Sequence, residues 1–143
     1  MSQLKANIII NRPPAEVFAG LTNFGKWPLW QGGLVSVDQI SPAPLQVGSQ
    51  VRQIRKGDKP AESLMEVTQL VPNQMLALKS PGRPLSWQGA FTLEPVDIGT
   101  RLALQFEIQA SGAAGLISAL IIKLTLKQEL NTFKALVETG EIT

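Results

Sequence analysis

The C-terminal third of the chain, from about Ala113 to Glu138, carries two apolar stripes at helical spacing. Ala119, Ile122, Leu126, Leu130, Phe133 and Val137 recur at intervals of three and four residues, so they share one face of a long helix. Leu116, Ile117, Leu120, Ile121 and Leu124 face roughly the other way. That second set stops halfway, and Gln128, Asn131, Lys134 and Glu138 stand where it would continue. The first stripe needs a sheet to lie on. The second needs a ligand cavity, a covering loop, a partner subunit or a membrane.

Upstream the apolar period falls to two, the signature of half-buried strands. Leu4–Asn11 reads as a first strand. Pro14 suits the first position of a short helix, with Val17, Phe18 and Leu21 as its apolar face. Lys26–Trp30 reads as a second short helix or turn. Six further strands follow: Leu34–Ile40, Ser49–Lys56, Ala61–Val71, Met75–Lys79, Ser86–Glu94 and Thr100–Gln109. The segments between them supply turn chemistry, including the hairpin-type Lys56-Gly57-Asp58-Lys59 and the closing Pro81-Gly82. Trp87, Gly89, Phe91 and Leu93 alternate onto one face, as do Leu102, Leu104, Phe106 and Ile108, while Arg101, Gln105 and Glu107 face water. Ser111-Gly112 opens the long helix and Gly140 stands where a glycine cap belongs.

The predicted class is α+β: a curved antiparallel sheet of about seven strands wrapped on a long C-terminal helix, with two short helices after the first strand. The helix spans roughly 39 Å at about 1.5 Å per residue. Short strands cover such a length only by twisting and curling. The curl leaves a space beside the helix's first half, where Gly112, Ala113, Ala114, Gly115, Ser118 and Ala119 are small. One domain over residues 1–143 is expected from the length.

Composition narrows the chemistry. The chain has no Cys, His or Tyr, which removes thiolate sites, the usual general base and the phenolic acid. No catalytic set, metal site or cofactor is expected. A net charge of +2, from 13 Lys and Arg against 11 Asp and Glu, gives no footprint for nucleic acid. The start shows no signal-peptide pattern, and the apolar run near Leu116–Ile122 is too short to span a bilayer. No stable membrane insertion is expected, and a cytoplasmic location follows by default.

Several strings, in order, carry a resemblance. They are Asn11-Arg12-Pro13-Pro14-Ala15-Glu16-Val17-Phe18, Trp30 after the short helix, Val47–Gln53, Met65–Pro72, Leu93-Glu94-Pro95 with Gly99-Thr100-Arg101, and Leu130 through Glu138. With them the chain resembles the START-like (SRPBCC) superfamily, in its polyketide cyclase/dehydrase-like branch. The resemblance implies a helix-grip fold, a deep apolar cavity, and lipids, polyketides or other hydrophobic small molecules as ligands.

The candidate cavity residues are Trp27, Trp30, Val51, Gln53, Arg55, Met65, Trp87, Phe91, Leu104, Phe106, Leu116, Leu120 and Leu124. Core packing is the competing reading of the three tryptophans. For Leu116, Leu120 and Leu124, burial under loops, cavity lining, and a homodimer or membrane surface all stay open. Leu130 and Phe133 are assigned to structure. Arg52, Arg55, Lys56, Lys59, Glu62 and Glu66 read together as a solvated face with cross-strand ion pairs. Within them Arg55 is the candidate polar anchor, because Val51, Gln53 and Arg55 share a face. Buried, it needs an anionic ligand group or an acid such as Glu62 or Glu66. The expected function is binding, storage or transfer of a hydrophobic small molecule without catalysis. A polyketide cyclase or dehydratase is one alternative, and an interaction module using the Leu116–Leu124 surface is another.

Overall fold

The computed structural model describes residues 2–57, 61–81 and 85–142. The Asp58-Lys59 half of the expected hairpin turn and Gly82 of the Pro81-Gly82 turn lie outside these. In chain order come β1 (Ser2–Ile10), α1 (Pro14–Thr22), a 3₁₀ helix (Phe24–Leu29), and β2 (Leu34–Gln39). Then follow β3 (Gln50–Arg55), β4 (Ala61–Val71), β5 (Met75–Ser80), β6 (Leu85–Val96), β7 (Gly99–Ala110) and α2 (Gly112–Thr139). The expected elements are present, most ends shifting by one or two residues.

The strands form one antiparallel sheet in the order β1-β7-β6-β5-β4-β3-β2. Consecutive strands pair from β2 to β7, and β1 closes on β7 with Leu4 opposite Phe106 and Ile8 opposite Leu102. The register breaks between Leu34 and Ser36 in β2 and between Val67 and Gln69 in β4. Such irregularities bend a strand and raise its twist, which wraps a seven-stranded sheet around a helix. The outer face is wet and carries cross-strand ion pairs: Arg52–Asp38 at 3.3 Å, Lys79–Glu66 at 3.7 Å and Arg101–Glu94 at 3.6 Å.

The core lies between the inner face of the sheet, α1 and the second half of α2. Leu130, Phe133 and Val137 of α2 are buried against it, together with Val17, Leu21, Leu76 and Leu102. That half of α2 is also clamped by polar contacts. The Glu138 carboxylate accepts from the Asn11 backbone N–H at 2.8 Å and from Lys134 Nζ at 2.8 Å. Lys134 donates as well to the Ile9 carbonyl at 2.6 Å, and Arg12 donates to the Glu138 carbonyl. Gly140 ends the helix in the left-handed conformation at φ 81°, with its N–H returning to the last turn. The first half of α2 is different: Leu116, Ile117, Leu120, Ile121 and Leu124 are each more than half exposed.

Candidate functional site

Between the inner face of the sheet, the 3₁₀ helix and the middle of α2 lies a cavity of about 150 Å³; the small residues Gly112, Ala113, Ala114, Gly115 and Ala119, expected beside this space, do not line it. The 3₁₀ helix and the turn after it give Trp27, Trp30 and Gln31 to its wall, and β3 gives Gln53 and Arg55. Leu78 comes from β5, Trp87, Gly89 and Phe91 from β6, and Leu104 and Phe106 from β7. From α2 come Ile121, Ile122, Thr125, Leu126 and Glu129. Ile121 is 54% exposed, so it stands at the rim.

Five aromatic rings, those of Trp27, Trp30, Trp87, Phe91 and Phe106, line the cavity, and further ring contacts extend behind them. Phe24, Trp27, Trp30 and Phe133 run as a chain of tilted contacts, with centroids 5.2, 5.5 and 5.0 Å apart. Opposite, Trp87 and Phe106 stack at 5.0 Å with 21° between planes. Gly89 makes that stack possible. A Cβ there would lie 2.4 Å from Phe106 Cδ2, so only glycine lets the ring lie flat over its cross-strand neighbour.

The polar groups fall into two kinds. Trp27 donates its indole N–H to the Leu21 carbonyl at 2.9 Å, so its hydrogen bonding is spent on the fold. Trp30 is 5% exposed and its Nε1 has no partner among the described residues. Gln53 is 1% exposed; its Nε2 donates to Met65 Sδ at 2.9 Å, and its Oε1 has no partner among the described residues. A buried donor and a buried acceptor, each on a residue that lines the cavity, are therefore unpartnered among the described residues. Native structures leave few such groups unsatisfied, and each costs about 1–3 kcal/mol.

Arg55 and Glu129 form the second kind. Burial pulls the Arg55 guanidinium below its ordinary pKa, with Glu129 acting the other way. Burial pushes the Glu129 carboxyl up, and Arg55 partly opposes this. Each feels the other's charge, yet among the described residues neither is held in a direct ion pair or hydrogen bond. Both charged ends remain available to a ligand.

Of the residues expected from sequence, Trp27, Trp30, Gln53, Arg55, Trp87, Phe91, Leu104 and Phe106 line the cavity. Val51 and Met65 do not. They are a cross-strand pair, 0% and 1% exposed, packed into the core. Leu116, Leu120 and Leu124 do not line it either; α2 lies on the sheet by its other stripe, which turns them outward at 64%, 55% and 72% exposure. The expected acids for Arg55 also change. Glu62 sits opposite Ile54 and Glu66 opposite Gln50 in the register, which puts both on the outer face; the acid that faces Arg55 is Glu129. Glu129 lies seven residues after Ile122, three after Leu126 and four before Phe133. A carboxylate interrupting the buried stripe was the available signal.

The family model for polyketide cyclase / dehydrase and lipid transport matches residues 1–138. The chain belongs to that family. It has the helix-grip fold and sits within the START-like (SRPBCC) superfamily. No curated protein sequence matches the chain. Among solved structures, it is similar to Ara h 8.0201 at 13% identity and a TM-score of 0.76, covering 96% of this chain and 98% of that one. It is similar to a protein from Thermus thermophilus, TTHA0849, at 16% identity and a TM-score of 0.77, covering 97% and 99%. The di-domain ARO/CYC BexL from the BE-7585A biosynthetic pathway matches at 19% identity and a TM-score of 0.74, covering 96% of this family member and 47% of BexL. At these identities the structural likeness speaks for the fold.

Proposed function

We propose that this chain binds a compact hydrophobic molecule in the cavity and stores or transfers it without chemical change. The observation that carries the reading is a pair of buried, unpartnered polar groups on two residues that line the aromatic cavity, Trp30 N–H and Gln53 C=O. A hydroxyl on the ligand would accept from the first and donate to the second. The apolar remainder would supply affinity at about 25 cal/mol per Å² removed from water. Size narrows the ligand further. A cavity of about 150 Å³ falls short of the roughly 300–1,000 Å³ of drug-sized pockets and equals one that holds benzene. The reading is therefore a one-ring molecule with an oxygen substituent, rather than a long-chain lipid. It takes residues 1–143 as one domain acting in the cytoplasm.

Glu129 supports a second reading, a cyclase- or dehydratase-type enzyme. Burial raises its pKa above the ordinary carboxyl value, which favours the protonated form of a general acid, and the nearby Arg55 guanidinium could steady an oxyanion. Titration with phenol and para-cresol, followed by tryptophan fluorescence, tests the first reading, since all three tryptophans line the cavity. Saturable quenching without product supports it; no quenching overturns it. Turnover of a poly-keto substrate that Glu129→Gln abolishes while binding persists selects the second.

A further inference from the structure

The exposed stripe of α2 has no role in the core. Leu116, Ile117, Leu120, Ile121 and Leu124 are 54–72% exposed and fall within nine positions. At about 100° per residue they occupy an arc of about 140°, on the side of the helix away from Leu126, Leu130 and Phe133. Lone surface leucines need no explanation, but a contiguous apolar face does.

The charges beside the stripe indicate what covers it. From Gly112 to Gln128 the charged residues are Lys123 and Lys127, both exposed, along one flank of the stripe. The first acid, Glu129, turns into the cavity. An isologous pair of chains meeting at Leu120 would gather four lysines and no acid along one seam, which disfavours a second copy. An anionic, apolar-backed surface complements the same arrangement: leucines enter the acyl boundary and the lysines reach up to phosphates. No helix among the described residues is long and apolar enough to cross a membrane, so the helix would lie on the surface.

We propose that the first half of α2 is a docking face for an anionic lipid bilayer. Leu116, Ile117, Leu120, Ile121 and Leu124 enter the interface, and Lys123 and Lys127 meet the headgroups. Ile121 belongs both to this face and to the cavity rim. Docking therefore sets the cavity mouth beside the apolar phase. That last consequence rests on the ligand reading above, whereas docking itself does not.

The test is flotation of the full chain with phosphatidylcholine vesicles, with and without about a third phosphatidylserine. Binding to the anionic vesicles alone is expected. Leu120→Asp should weaken it at least about tenfold, and Lys123→Gln with Lys127→Gln about 30-fold at low salt. All three positions are exposed, so melting temperatures should stay at the parent value; Leu124→Ser gives a second, uncharged variant expected to weaken binding in the same direction. No flotation, equal flotation with both vesicle types, or flotation indifferent to Leu120→Asp overturns the proposal. So does a dimer in sedimentation that Leu120→Asp dissociates, which would assign the face to a second copy. Phenol quenching reads the cavity alone, so the two proposals fail separately.

Discussion

Gly89→Ala should close the cavity while leaving the fold in place. A methyl group there meets Phe106 Cδ2 at 2.4 Å, Phe106 Cε2 at 2.9 Å and the Gln105 carbonyl oxygen at 3.2 Å. Carbon atoms in contact rest about 3.5–4.0 Å apart, so the ring must retreat by more than 1 Å, roughly, from its present plane. The sheet lies behind it and Trp87 stacks beside it. The direction left is toward α2, into a cavity of about 150 Å³. Overpacking of this kind costs about 1–3 kcal/mol, which a domain of this size tolerates. Phenol-class binding, read by tryptophan quenching, should weaken at least about tenfold. Gly25→Ala is the control, because its Cβ would meet nothing within 4 Å. Parent affinity in Gly89→Ala would refute the idea that Phe106 and Gly89 set the shape of a binding wall.

Four further outcomes are expected. Phe133→Ala, at a side chain 0% exposed and in ring contact with Trp30, should cost about 3–5 kcal/mol and lower the calorimetric melting temperature by about 10–15 °C. Gln53→Leu should leave the apo protein as stable or more so, because it removes an unsatisfied carbonyl, yet weaken hydroxyl-bearing ligands; a stability loss together with unchanged binding would contradict the assignment. Arg55→Met should weaken ligands with an anionic group and spare neutral ones, and identical titration curves for both would remove Arg55 as an anchor. Glu129 has a folded pKa above its ordinary 4.5, so the native state holds its proton more tightly than the unfolded chain. Its contribution is full below that value and is lost as pH rises through the folded pKa. Denaturant midpoints of the parent relative to Glu129→Gln should accordingly fall across that window, and parallel curves would count against the burial of Glu129.

The sheet and helix were legible because each has a strong periodic cause. Trp87, Phe91 and Leu93 alternate with polar neighbours, and Leu126, Leu130, Phe133 and Val137 keep helical spacing, so period alone places both. The β3 face was legible for the same reason: Gln53 and Arg55 follow Val51 at steps of two. What that step could not show was how deep along the strand the cavity begins. Val51 and Met65 pair across the strands and are core, whereas Gln53 and Arg55, two and four residues further along the same face, line the cavity. Arg55's acid was misplaced for a related reason. Sequence proximity favoured Glu62 and Glu66, but the β3–β4 register sets both on the outer face, and Glu66 pairs there with Lys79. The difference between Trp27 and Trp30 had no local signal, since it depends on whether the Leu21 carbonyl lies within reach.

The two halves of α2 separate stability from function in a way that follows from their neighbours. The second half is buried through Leu130, Phe133 and Val137 and tied to β1 through Lys134 and Glu138. The helix upstream of Leu130 meets the sheet side through partly exposed residues such as Ile122 and Leu126, which line the cavity, and Leu126 also packs against the core. Few buried contacts mean a low local opening free energy, so ligand entry past Ile121 would require movement of the first half alone. On the proposed reading of a carrier, the clamped second half would hold while the less buried first half moves to admit or release a ligand.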